Sequence, residues 1–517
     1  MKTIILSSFC LLISILLWMG NGVAKPVDTL TAKLKATNFM QGRLGNGDAK
    51  NPLPARLVYT GSYGSTNSQR NVCFYVFNVG EGFVIMSADD RVEPVIGYST
   101  KGHFDIDNIP ENLQSMLDLY TGEIREFLRD APAQPTEATA KWEALSHIPS
   151  ASKGATVGPL LETTWNQDNP YNGYCPTDAN GPGGHAYAGC VATAMAQIIR
   201  YWQYPAHSTG SVTYTPSNYS QITVYFDNGP NYDYNNMPHA LNSSSTNSQI
   251  TEVAKLTYHC AVSVRMAFGS GGSGASPSDA TNALKTNFKY SNSYGTVNPQ
   301  YISKGSYTAA RWIELLKTEL DNWRPILYSG SGYGSHAFIC DGYDDQGYFH
   351  FNWGWSGNHD GYFQLTSLTP EDPYFPYNFT NNQAAIINIQ GNTPLIRLSS
   401  NELSFLCATN TVSEAKSVSL HGTALSNDIT ITAPANFEIS LDGTNFTSSL
   451  NVSTTDAVIY VRYVPTASGV ITDRGTLTLT SGSVTKTIVL TGHTYELDCN
   501  PPQNVQYASD NNGNVQL

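Results

Sequence analysis

The sequence predicts an α+β fold followed by an all-β sandwich, and three stretches carry that prediction. From Cys190 to Tyr204 the apolar residues Val191, Met195, Ile198, Ile199 and Trp202 recur at helical spacing, which gives a helix with one buried stripe. Between Pro325 and Leu365 short apolar runs flank the turn Asp344-Asp345-Gln346-Gly347, the pattern of paired antiparallel strands. Beyond Gly391 the composition changes to Ser, Thr, Val and Leu in alternating runs. Alternation of that kind turns one face of a strand to a core and the other to water.

Taken in chain order, Lys2, the apolar run Ile4 to Met19 and the small residues Gly22-Val23-Ala24 read as a secretory signal peptide over residues 1–24. No later stretch is apolar for long enough to span a bilayer. Strands are expected from Val72 to Val79 and from Gly82 to Ser87, with Asp89-Asp90-Arg91 as a polar turn. Leu113, Met116, Leu117, Tyr120, Ile124, Phe127 and Leu128 then mark a helix over Pro110 to Leu128. Ala131 to Pro135 and Ser150 to Gly154 read as an exposed linker, where nicking concentrates. A second region runs over 151–391, rich in Trp, Tyr and Gly, with a further helix from Ala309 to Trp323. Its strands are expected at Pro325 to Tyr328, His336 to Cys340, Tyr348 to Trp353 and Tyr362 to Leu365. Residues 392–494 follow as the sandwich, with strands at Val418 to Leu420, Ile429 to Thr432, Ala457 to Tyr463, Gly475 to Leu479 and Lys486 to Leu490. Residues 495–517 resemble the opening of a fibronectin type III module that stops early, the reading of a truncated chain.

Composition narrows the function. With 517 residues there is room for three or four domains. A charged fraction of 13% and a net charge of -13 leave no basic cluster to neutralise phosphates, which argues against nucleic acid or anionic membranes as partners. Outside the signal peptide the chain holds Cys73, Cys175, Cys190, Cys260, Cys340, Cys407 and Cys499, an odd number that leaves at least one thiol free. There is no CxxC and no paired Cys/His spacing of the structural-zinc kind, so no zinc site is expected, and the chemistry read from the residues below implies no metal or organic cofactor.

Chemistry concentrates at Gly189-Cys190-Val191-Ala192-Thr193-Ala194. A cysteine at the first position of a helix meets unpaired N–H groups and the positive end of the helix dipole, which favour thiolate over thiol. His336 opens an apolar strand, a poor place for an imidazole unless it has a task. It lies about 146 residues after Cys190, within the cysteine–histidine separation of papain-like enzymes. Gln167, on a loop before the nucleophile, can donate to a developing oxyanion beside the Cys190 N–H, a contact of about 3 kcal/mol. Asn352 follows His336 by one hairpin and can accept its imidazole N–H, with Trp353 shielding that bond from water. Among the other thiols, Cys340 is four residues from His336 along the strand, about 13 Å away and too distant for attack chemistry.

Asn166-Gln167 with Asn169-Pro170-Tyr171-Asn172, Gly189 to Ala194, His336-Ala337-Phe338 and Asn352-Trp353-Gly354-Trp355 together resemble the streptopain family of papain-fold cysteine peptidases, over residues 70 to 390. The resemblance implies a papain-like peptidase domain over 151–391, with Cys190 as nucleophile, His336 as base, Gln167 as oxyanion donor and Asn352 with Trp353 as orienting element. It implies protein and peptide substrates, cleft residues Ser273, Gly274, Ser335 and Trp355, and an α+β inhibitory propeptide over 25–150 carrying Gly82 to Ser87 and Ile96 to Thr100. The product would be a secreted or cell-surface zymogen, cut near Ala151 to Ala155, whose propeptide is its own inhibitor. The β-sandwich then falls to a surface, sugar or export-machinery partner. Two other readings use the same residues: an inactive adhesin or assembly protein, and an acyl transferase whose acceptor is an amine.

Overall fold

Asp28 starts the first helix: its carboxylate accepts the N–H groups of Leu30 and Thr31, supplying partners to two of the orphan donors of Thr29–Arg43 (α1). The structure, a computed structural model, describes residues 25–44, 52–64, 71–130, 137–149, 157–294, 296–331, 335–365, 383–453, 456–496, 508–509 and 515–516. The expected signal peptide, the expected linker segments 131–135 and 150–154, and most of 495–517 lie outside the described residues. Residues up to Gly391 form one compact unit and those from Asn392 a second. No helix among the described residues is long and apolar enough to cross a membrane.

In the first unit α1 precedes four strands, β1 (Ala55–Tyr63), β2 (Asn71–Val79), β3 (Gly82–Ser87) and β4 (Val95–Ser99), each antiparallel to the one before. Both faces of this meander are covered. Tyr75, Phe77 and Val79 of β2 pack with Ala32, Ala36 and Phe39 of α1. The alternate residues Phe74 and Val76 pack with Leu113, Leu117 and Ile124 of α2 (Glu111–Asp130). Burial on both faces explains why β2 reads as an unbroken apolar run. A short helix α3 (Glu137–Ala144) sets Trp142 into the α1 side.

The segment that follows carries α4 (Cys190–Trp202), a hairpin of β5 (Ser211–Tyr214) and β6 (Ile222–Tyr225), α5 (Asn247–Ser263), α6 (Pro277–Thr286), β7 (Gln300–Ser303), α7 (Ala309–Asp321), β8 (Ile326–Ser331), β9 (Ser335–Tyr343), β10 (Phe349–Asn352), β11 (Gly361–Phe363) and β12 (Ala384–Ile387). Among the described residues one ten-stranded sheet joins the two regions in the order β1-β2-β3-β4-β11-β10-β9-β8-β12-β7. Its junction pairs Tyr98 with Tyr362 and Gly97 with Phe363. Hydrophobic packing crosses the same line, since Leu117 and Phe83 share a cluster with Phe338, Phe351 and Phe363. The expected α+β architecture is present, with α4 on the other face of the sheet, where Ala194, Ile198 and Trp202 pack with Leu327, Ala337 and Ile339.

The second unit is a sandwich of two sheets. One orders Leu395–Leu398, Lys416–Thr423, Asp456–Tyr463 and Phe437–Ser440; the other orders Glu402–Ala408, Val484–Tyr495, Thr472–Ser481, Ile429–Thr432 and Ser449–Val452. Ile396, Val418, Ile459, Ile431, Leu477 and Ile488 fill the space between them.

Candidate active site

The first residue of α4 is Cys190, and what precedes it must be glycine. Gly189 has φ 90°, and a Cβ there would lie 2.7 Å from Met266 Sδ and 3.1 Å from the Ser273 carbonyl oxygen. No side chain caps this helix start, so its dipole and N–H groups act on the thiol. The Ala337 N–H donates to Cys190 Sγ at 3.4 Å, which brings the sulfur to the residue adjoining His336 on β9. Cys190 is partly exposed, whereas Cys73, Cys175, Cys260, Cys340 and Cys407 are buried. Burial pushes Cys73 and Cys175 up to about 12 and raises Cys260 and Cys340 well above the ordinary thiol range. Those four rivals are held as thiols.

Gln167 approaches from the other side of the sequence. Its carbonyl oxygen accepts the Ala188 N–H at 2.8 Å, two residues before the nucleophile. Its N–H donates to Asn166 Oδ1 at 2.7 Å, and Asn166 Nδ2 donates to Ser356 Oγ at 3.0 Å. The backbone is thereby fixed, while among the described residues no hydrogen bond occupies the Gln167 carboxamide.

The Asn352 amide is bonded at both ends. Its Oδ1 accepts from Gln197 Nε2 at 3.2 Å and from the Gly354 N–H at 3.1 Å. Its Nδ2 donates to the Thr163 carbonyl at 2.7 Å. On the sheet Asn352 pairs with Ile339, three residues along β9 from His336. Trp353 is buried and packs on Phe338, ring centroids 4.8 Å apart, and on Phe363 at 5.2 Å. Its N–H donates to Asp360 Oδ1 and its Nε1 to the His359 carbonyl, each at 2.9 Å, closing the turn after it. Behind lies an acid–base cluster that the sequence did not flag. His350 Nδ1 is 2.6 Å from the buried Asp341 Oδ1. Burial raises Asp360 to about 7 against the opposing pull of His350 and the Trp353 N–H. Burial alone would lower His350, but Asp341 overrides it and the net shift is upward.

Of the expected cleft residues, Ser273 and Gly274 sit on a loop closed by paired backbone bonds between Ala267 and Gly274. Ser273 Oγ donates to the Tyr187 carbonyl at 2.6 Å, so the hydroxyl anchors the loop beside Gly189. Trp355 is half-buried against the Trp353 cluster. Ser335 opens β9, and its side chain lies outside the described residues.

The N-terminal region grips this half of the sheet at Asp344, on the turn between β9 and β10. Asp344 Oδ1 accepts the Gln346 and Tyr348 N–H groups, both at 2.9 Å, shaping the turn. Its Oδ2 accepts the Tyr98 hydroxyl at 2.7 Å and is ion-paired with Arg43, Nη2 lying 3.0 Å away, both residues from the N-terminal region. Arg43 also reaches Asp345 at 3.2 Å and lies over the Tyr98 ring, which stacks on Tyr362 at 5.2 Å.

Residues 165–363 match the model of the Peptidase C10 family, and residues 24–124 match that of the Spi protease inhibitor. Streptopain of Streptococcus pyogenes serotype M1 is 33% identical over 314 residues, 57% of this chain and 74% of that protein. The chain belongs to the peptidase C10 family. A second relative, the thiol protease/hemagglutinin PrtT of Porphyromonas gingivalis, is 33% identical over 362 residues, 67% of this chain. The match spans only 39% of PrtT's own length. Among solved structures, a cysteine-to-alanine mutant fragment of Prevotella intermedia prointerpain A aligns with a TM-score of 0.52 at 29% identity, covering 66% of this chain and 100% of that one. The inhibitor-type match coincides with the region that extends the C10 sheet through β4.

Proposed function

We propose that the chain is a secreted cysteine endopeptidase made as a zymogen, with Cys190 as nucleophile and His336 as general base and then general acid. The observation that carries this reading is the contact between the Cys190 sulfur, at a helix N-terminus, and the Ala337 N–H, next to His336. The helix dipole and that N–H both stabilise a thiolate. In the reaction His336 takes the Cys190 proton, the thiolate attacks the peptide carbonyl, and a tetrahedral oxyanion forms. The Cys190 N–H and the Gln167 carboxamide receive that oxyanion. His336 then protonates the departing amine, and water hydrolyses the thioester to free the enzyme.

Asn352 and Trp353 support the site from the turn after β10. Asn352 braces the backbone around the turn, and Trp353 walls the β9 end with aromatic surface. The loop of Ser273 and Gly274 flanks the approach to the sulfur and suits an extended protein substrate, whose backbone would run past glycines. The N-terminal region is the intramolecular inhibitor, docked by sheet extension. The second unit takes no part in the chemistry and is assigned to a surface or export partner.

The test compares wild type with Cys190→Ala, each purified and incubated alone. Wild type is expected to shorten itself and hydrolyse casein, while the variant stays full length and inactive. A variant that matured and cut casein like wild type would remove Cys190 from the mechanism.

A further inference from the structure

We propose that Gln197 is a positioning residue that holds the oxyanion loop and the Asn352–Trp353 turn in fixed relation to the nucleophile. The inference rests on the peptidase reading above and adds a residue to it. Gln197 lies seven residues after Cys190, about two helical turns, and so on the same side of α4. It is fully buried, where an amide costs free energy unless both of its ends are bonded.

Both ends are bonded, and to two different parts of the site. Oε1 accepts the Trp165 N–H at 3.1 Å, two residues before Gln167. The same oxygen meets Asn352 Nδ2 at 3.4 Å, and Nε2 donates to Asn352 Oδ1 at 3.2 Å, a paired amide contact. Asn352 passes the constraint on, to the Thr163 carbonyl through Nδ2 and to the Gly354 N–H through Oδ1. One side chain on the helix that carries the sulfur therefore ties down a loop more than thirty residues upstream and a turn more than one hundred and fifty downstream. A leucine or methionine would fill the same space without any hydrogen bond to satisfy. The amide is explained by what it holds. Gln197 touches no reacting atom, so its effect passes through the geometry of Gln167 and Trp353, where an error of about 1 Å can cost on the order of 100-fold in rate.

The experiment uses full-length Gln197→Met, matured where necessary by a trace of tagged wild-type enzyme that is then removed. Peptide hydrolysis is expected to show kcat down by about 10- to 100-fold with KM within about two-fold. Leu256→Ala, a core variant of α5 in the same hydrophobic cluster, serves as the control for lost stability. It is expected to keep kcat near wild type at an equal or lower thermal midpoint. If Gln197→Met does not fold, Gln197→Glu takes its place. A protonated carboxyl can again donate to Asn352 Oδ1, so its kcat relative to wild type is expected to recover toward acid pH. The double variant with Asn352→Ala is expected to lose no more than the worse single variant. A kcat loss matched by Leu256→Ala, a loss confined to KM, a pH-independent Gln197→Glu or additive losses would each overturn the proposal. Hydrolysis by Cys190→Ala, in contrast, would overturn the peptidase reading itself.

Discussion

A carboxyl group close to Trp353 sets a pH dependence that can be worked out by sign. Asp360 has an ordinary value of 3.8 and is raised to about 7 by burial. Between those values the folded chain keeps a proton that the unfolded chain has released, so stability falls as pH rises through the window. His350 acts in the same direction. Its value is raised above 6.5 by Asp341, and a raised imidazole contributes stability at low pH that is lost as pH climbs past its folded value. A tenfold change in a group's proton affinity on folding corresponds to about 1.4 kcal/mol. The thermal midpoint is therefore expected to drop between pH 5 and pH 8. Asp360→Asn, whose Oδ1 can still accept the Trp353 N–H, is expected to flatten that drop, as followed by calorimetry. Equal slopes for the two proteins would show that Asp360 does not carry the effect. The carboxyl was not legible beforehand, because nothing in the spacing of Asp341, His350 and Asp360 says that two strands and a turn bring them together. The placement of Cys190 at a helix start and of Gln167 on a loop was legible, since both are marked locally in the sequence.

Among the elements, the junction of β4 with β11 decides how the N-terminal region is held. Among the described residues only two pairs form that ladder, so side chains must do much of the docking: the Arg43–Asp344 pair with Tyr98 is the charged contact there, beside the Tyr348 hydroxyl on the Val95 carbonyl and the Tyr120 hydroxyl on the Gln364 carbonyl. Its side chains are 13% and 3% exposed, so removing one partner leaves a buried charge short of a bond, at a cost on the order of 3 kcal/mol. Arg43→Met is expected to mature faster than wild type, by roughly tenfold for each 1.4 kcal/mol of docking lost. A time course of self-shortening on a gel reads this, and an unchanged rate would assign the hold to the sheet, the aromatic contacts and the neutral hydrogen bonds. Elements differed in how plainly the sequence marked them. The stripe of α4 and the hairpin of β9 and β10 were expected within a few residues. Helix α1 was missed because its buried side includes Lys35, Thr37 and Gln41, and Lys35 is stabilised there by the Trp142 carbonyl and Ser146 hydroxyl. Helix α5 was also passed over, although Thr246 and Gln249 form a capping box that could have located it.

For the molecule as a whole, the change of composition at Gly391 and the start of the second unit at Asn392 coincide. Alternation revealed that sandwich but not its strand order. The parallel pairing of Glu402–Ala408 with Val484–Tyr495 joins segments some eighty residues apart, and alternating residues do not specify a partner. Each side chain assigned a chemical role belongs to the first unit, whose sheet and both helical faces close on residues before 392. A chain ending at Gly391 is therefore expected to fold, mature and hydrolyse a peptide substrate with kcat/KM within about two-fold of the full chain, since no transition-state contact is removed. Steady-state kinetics on the two matured proteins checks this. A loss of tenfold or more in kcat at unchanged stability would place part of the catalytic machinery in the sandwich, and a loss seen only with large protein substrates would give that unit a role in substrate capture.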